Sequence, residues 1–240
     1  WGSVLGEAGR QRMAATGTRT GLRRVQPPRA ASPYRFAVAD LERMVDAGIL
    51  HEDDRVELLS GQLVTMAPIG EAHAASVDQV AAALFEIARG RATVRVQGPL
   101  AIASDTQVQP DVAVIARGRV AAGTVRAASS IHLIVEVADS SLTYDRTVKL
   151  AMYARAGIAE AWLLNLVGTP PGVPVVRRRG AVGAPLLEVY RDPDQDSGTY
   201  RSVAVFGMAD ANAGASIAPL AFPDHPVPVA SLLSNGDDAP

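Results

Sequence analysis

Apolar residues fall at helical spacing in two early segments. Between Ala37 and Ala47, Leu41, Met44 and Val45 share one helical face, and Gly48 follows as a C-terminal stop. Val77, Val80, Ala81, Leu84, Phe85 and Ala88 recur at i, i+3, i+4, i+7, i+8 and i+11, the cleanest helical pattern in the chain, ending before Gly90. Between them the pattern is extended. Arg55–Leu59 and Gln62–Met66 flank Ser60-Gly61, an X-Gly link that predicts a hairpin. Four further extended runs follow: Thr93–Ala103, Val108–Ala116, Ile131–Ala138 and Ala161–Leu166. A helix over Thr143–Ala156, closed by Gly157, is predicted between the last two. Beyond Pro170-Pro171, strands at Val173–Arg177, Leu186–Arg191 and Tyr200–Val205 suggest a peripheral β meander, and Pro219 to Pro228 is expected to pack loosely.

Composition adjusts this picture at the ends. Residues 1–33 hold six arginines, a single acid (Glu7) and no periodicity, so they read as a disordered tail. The chain opens on Trp1, with Met13 as an alternative initiator. Residues 34–235 are expected to form one domain, followed by a short tail at 236–240. Apolar residues make up 48% of the 240, enough for a sizeable core. No apolar run approaches the roughly 18 residues of a membrane span, so no membrane partner is expected. The absence of cysteine excludes disulfides and thiolate metal sites and fits a cytoplasmic location. A formal net charge of −2 provides no general attraction for nucleic acid, which would have to be held by local arginines and a metal.

The basic residues are uneven: of the 23, the only lysine is Lys149. A coding bias towards arginine explains the scarcity. A surviving lysine then hints at a position where a compact ammonium is needed and a planar guanidinium does not serve. Asp111, after Pro110, opens one extended run, and Glu136 lies near the end of the next. If those runs pair antiparallel, the two carboxylates meet at one sheet edge. Glu136 is otherwise surrounded by Ile, Leu and Val, where a carboxylate is costly unless paired or metal-bound. Asp145, Lys149 and Tyr153 are spaced i, i+4, i+8 on the following helix and can reach back to the same edge. The competing reading is a solvated helix face with an ordinary Asp145–Lys149 pair worth ~0.3–0.5 kcal/mol. His73 at a helix start is a candidate general acid or a capping residue. His132 reads as structural, Arg177-Arg178-Arg179 as a solvated loop, and Ser140-Ser141 as a cap for the next helix.

Several stretches resemble a known family. Glu57-Leu58-Leu59-Ser60-Gly61-Gln62-Leu63, Pro68, His73, Gln109-Pro110-Asp111-Val112-Ala113-Val114 and Leu133-Ile134-Val135-Glu136-Val137-Ala138-Asp139-Ser140-Ser141 are similar to the Uma2 family. The likeness continues through Asp145, Lys149, Tyr153, Gly157 and Ala161-Trp162-Leu163, and covers about residues 35–235. It implies an α/β (α+β type) restriction-endonuclease-like fold, of the PD-(D/E)xK class, with a mixed central β-sheet flanked by helices. It also implies an endonuclease that hydrolyses phosphodiester bonds, with DNA as substrate, Mg²⁺ (or Mn²⁺) as cofactor and a homodimer as the acting form. Asp111 matches the motif's aspartate and Glu136 its second acid. Ala138 stands where the usual lysine would be, which points to Lys149 on the next helix. Asp111, Glu136 and the Val137 carbonyl would hold the metal. Lys149 would position or deprotonate water, or neutralise charge developing on the phosphoryl group. Glu57 would hold the metal's outer waters, and His73, Asp145 and Tyr153 would support the groups that act. Gln62 replaces a more usual acid. The alternative is a module that keeps the fold and binds nucleic acid or protein without catalysis.

Overall fold

The computed structural model describes residues 32–51, 54–66, 69–172 and 183–233. Contacts divide the chain into two units, Trp1–Pro33 and Tyr34–Pro240, and the fold below is that of the second. The expected tail at 1–33 (apart from residues 32 and 33), the strand over Val173–Arg177, the Arg177–Arg179 run and Pro68 lie outside the described residues.

Helix α1 (Val38–Asp46) leads into the hairpin of β1 (Val56–Leu59) and β2 (Gln62–Thr65). Its link has Ser60 at φ 48° and Gly61 at φ 76°, the two left-handed residues that match the twist of paired strands. Gly61 is also required by space, since a Cβ there would come within 2.8 Å of Arg35 Cβ. Helix α2 (Glu71–Ala88) follows the predicted apolar stripe, burying Val77, Val80, Ala81, Leu84 and Ala88, except that Phe85 at its margin stays exposed.

The next two extended runs are each broken in two. Thr93–Ala103 divides into β3 (Ala92–Val96) and β4 (Leu100–Ala103), and Val108–Ala116 into β5 (Thr106–Val108) and β6 (Val112–Ala116). Gln97 at φ 47° turns the chain before Gly98-Pro99, and Pro110 has no N–H to continue a ladder. The halves part company: β4 and β5 join a four-stranded sheet ordered β2-β1-β5-β4, whereas β3 and β6 join the main sheet.

That main sheet is completed by β7 (Ile131–Ala138), β8 (Glu160–Asn165), β9 (Leu186–Asp194) and β10 (Thr199–Phe206), in the order β10-β9-β8-β7-β6-β3. It is mixed: β7 and β8 run parallel and the other pairs antiparallel. A parallel pair needs a crossover, here α3 (Leu142–Tyr144), a π-helical turn (Asp145–Lys149) and α4 (Leu150–Arg155). The predicted single helix is thus interrupted by one wide turn, a feature often found at functional sites. The β9–β10 hairpin extends the main sheet through β8 and does not form a separate meander.

Alternation along β7 explains both layers. Leu133, Val135 and Val137 face a core with α2, and Ile134 and Ala138 face a second core with Leu142, Leu150 and Tyr153 of the crossover. Contrary to expectation, the Pro-rich end packs into the first core through Phe222, Val227 and Val229, because its apolar residues cover the sheet face beside α2. Burying such side chains contributes about 25 cal/mol per Å² removed from water. Among the described residues, no helix is long and apolar enough to cross a membrane.

Candidate active site

Antiparallel pairing of β6 with β7, with Val112 opposite Val135, places Asp111 beside Glu136 at one end of the sheet. Asp111 precedes β6, and both carboxylates are buried. Two layers converge there: the start of α2 brings His73 from one face, and the crossover brings Asp145, Lys149 and Tyr153 from the other. Glu57 enters from β1 in the smaller sheet. All of these but Tyr153, which lies behind Glu136, line a cleft of about 360 Å³, with Arg55, Ser140, Ser141 and Tyr144 on its walls.

Asp111 is held from three sides. Its Oδ1 lies 2.9 Å from His73 Nε2 and 3.3 Å from Gln97 Nε2, and its Oδ2 accepts the Val137 N–H at 2.8 Å. Burial favours its neutral form, but His73, the Val137 amide and Gln97 outweigh it, leaving the pKa below the usual carboxylate value. It is the amide of Val137 that meets Asp111. His73, whose imidazolium burial opposes, is raised by the same Asp111.

Lys149 Nζ sits 3.2 Å from a Glu136 oxygen and 3.2 Å from a Glu57 oxygen. The Asp145–Lys149 pair of the competing reading does not form: Lys149 sits in the π-helical turn and bridges these two glutamates instead. Burial disfavours the ammonium, yet Glu136 and Glu57, followed by Asp145 and Asp111, raise its pKa overall, so it stays charged. Glu57 also accepts the Gln109 N–H at 2.7 Å. Glu136 accepts the Tyr153 hydroxyl, a phenol kept protonated by burial and the nearby carboxylates. Burial is the main cause pushing Glu136 well up, with Asp111 and Asp145 adding to it. Asp145 is pushed up to about 6 by burial, although the Ser141 hydroxyl donates to it at 2.5 Å. Ser141 stands at the helix start but makes no capping hydrogen bond, since its hydroxyl is used on Asp145.

The balance of charge is one-sided. Four buried acids (Glu57, Asp111, Glu136 and Asp145) face one buried cation, Lys149, with Arg55 on the cleft wall and one titratable imidazole, His73. Such a surplus, carried entirely by oxygen donors, fits a hard divalent cation. Burial is the main cause of the raised values at Glu136 and Asp145, and the neighbouring carboxylates add to it. Among the described residues, no three His, Asp or Glu side chains already form a metal-ligating group. The ammonium holds the space between Glu57 and Glu136.

Gln97, Gln109, Ser141 and Tyr144 are at the site without having been expected there as site residues. Gln97 carried a weak signal, a polar residue just before Gly98-Pro99. Gln62 is exposed and outside the cleft. His132 packs edge-on against Phe222 at 6.1 Å, a structural contact.

A family model, Uma2, described as "Putative restriction endonuclease", matches residues 38–224. The chain is also similar to a crystal structure described as a putative nuclease belonging to DUF820 from Anabaena variabilis ATCC 29413. The TM-score is 0.57 at 14% identity, covering 82% of this chain and 97% of that one. At that identity the likeness concerns the fold, a mixed sheet flanked by helices. No curated protein matches the chain.

Proposed function

Since the chain belongs to the Uma2 family, of restriction-endonuclease type, we propose that it is a Mg²⁺-dependent endonuclease that hydrolyses phosphodiester bonds in DNA. The observation that carries this reading is the carboxylate surplus around Lys149 where β6 begins and β7 ends. Asp111 and Glu136, with the Val137 carbonyl, would hold the ion, and Mn²⁺ would serve in its place. When bound, such an ion polarises a phosphoryl oxygen and lowers the pKa of a coordinated water.

The remaining work falls to this chain's own groups. Lys149 is a poor base here, because its neighbours hold it as an ammonium. Its role is electrostatic: it offsets negative charge that grows on the phosphoryl oxygens. Glu57 and Tyr153 fix its position through the Glu57–Lys149–Glu136–Tyr153 chain of contacts. Asp145 adds negative potential behind the ammonium. His73 orients Asp111 and, as an imidazolium favoured by that acid, is placed to give up a proton.

A second reading, a binding module without turnover, is favoured by the closed Glu57–Lys149–Glu136 bridge, in which the ammonium already satisfies both acids. Thermal unfolding with and without Mn²⁺, alongside plasmid cleavage, separates the two. At a hundredfold excess over Kd, the ion should raise the wild-type Tm by about 5–10 °C, and Asp111→Ala should abolish both that shift and the cleavage. A wild-type protein that leaves plasmid intact in the presence of the ion would rule out the nuclease.

A further inference from the structure

Tyr144, the last residue of α3, lines the cleft beside Lys149 and Asp145. Its hydroxyl is the one buried side-chain polar atom without a hydrogen-bond partner among the described residues. The other enclosed tyrosines differ. Tyr153 donates to Glu136, Tyr190 to Glu188 at 2.6 Å, and Tyr200 to the Ile158 carbonyl at 2.9 Å. An orphaned buried hydroxyl is unfavourable, and nearly all such groups in folded proteins find partners. Packing does not account for this one, because the phenyl ring alone would fill the same space.

The surroundings indicate the missing partner. Burial, then Glu57, hold the phenol protonated, so the group is a donor lacking an acceptor. The residue is only half-buried and forms part of the wall of the cleft that Lys149 also lines. A ligand oxygen arriving there meets Lys149 as charge and Tyr144 as a directional donor. We propose that the Tyr144 hydroxyl turns into the cleft and donates to a non-bridging oxygen of a bound phosphodiester, making Tyr144 a substrate-binding residue. This rests on the phosphodiesterase reading of the site. It also predicts a conflict between stability and binding that a purely structural tyrosine would not show.

Tyr144→Phe removes the oxygen and keeps the ring. Two measurements test it: the Tm of the free protein, and the affinity for a short fluorescein-labelled DNA duplex by anisotropy. Ca²⁺ is present in the second as a hard cation with the same preference for oxygen donors. The variant should melt about 2–4 °C above wild type and bind the duplex about tenfold more weakly. A Tm below wild type would mean the hydroxyl already has a partner in the free protein and would overturn the proposal. Equal affinities would overturn it as well. Cleavage by wild type judges the nuclease reading separately. A wild type that binds without cutting defeats that reading while leaving the affinity ratio decisive for Tyr144, and a wild type that binds no DNA defeats the Tyr144 proposal outright.

Discussion

Acids are buried in two regions of this protein, and they are stabilised in different ways. At the β8–β9 side of the sheet, Glu160 and Glu188 are fully enclosed, each with an arginine of its own. Arg191 reaches Glu160 through Nε at 2.8 Å and Nη2 at 2.6 Å, and the Trp162 indole and Leu220 N–H supply further donors at 2.9 and 2.6 Å. Arg146 grips Glu188 through both ends of its fork, helped by Asn165 at 2.9 Å and the Tyr190 hydroxyl. One guanidinium per carboxylate, with the remaining lone pairs filled, is a closed arrangement. In the cleft, four buried acids surround one buried ammonium, with Arg55 on the wall. The difference teaches that burial of an acid does not by itself single out a site; the mismatch between acids and cations is what sets the cleft apart.

The contrast should break most visibly at Arg191. Arg191→Met leaves Glu160 enclosed without a counter-charge and should cost about 3–5 kcal/mol of stability, seen as a large fall in the urea midpoint, while the folded fraction keeps its Mn²⁺ response. A mild effect would mean that Glu160 is no more firmly neutralised than the cleft acids. Lys149→Met should behave in the opposite way. Glu57 and Glu136 can take up a proton or an ion in place of the ammonium, so stability should fall less than for Arg191→Met and recover with Mn²⁺. Cleavage should drop about 10²–10³-fold, read as initial rates on supercoiled plasmid. Activity within a factor of about three of wild type would remove Lys149 from the proposed chemistry.

The smallest expected effect is one of pH. Glu136 has a folded pKa above its unfolded value, so the folded state binds the extra proton in the interval between them. Stability contributed by that proton is present at low pH and is lost as pH rises through the interval. Glu136→Gln removes the loss. Its Tm should match wild type near pH 5 and exceed it by about 2–4 °C near pH 9. A variant less stable than wild type at pH 9 would mean that Glu136 belongs with Glu160 and Glu188 as a fully satisfied acid.

Much of the cleft could be read from local pattern. An acid just before one strand and another late in its neighbour converge whenever the two pair antiparallel, and Asp111 and Glu136 needed no more than that. The Ser60-Gly61 hairpin and the α2 stripe were similarly local. Long-range choices left weaker traces. Nothing short-range says that β3 and β4 enter different sheets, although Gln97, Gly98 and Pro99 sit where they part. The contact between Pro219–Pro228 and the core depends on a sheet face assembled from distant segments. The competing reading paired Lys149 with Asp145 four residues earlier, a rule that presumes α-helical geometry. The π-helical turn overrode it. Glu160 and Glu188 are acids in apolar strands, as Glu136 is, and only their arginines distinguish them, contacts that span 31 and 42 positions along the chain.

The crossover between β7 and β8 has one more consequence. Glu136, Asp145, Lys149 and Tyr153 all ride on a single continuous strand-and-helix connector, so covalent spacing, more than docking of separate parts, sets their mutual distances. Local opening of that connector would dismantle most of the cleft in one step, and its closure would restore the cleft as a unit. Gain and loss of the site should therefore be cooperative, tied to the folding of one segment.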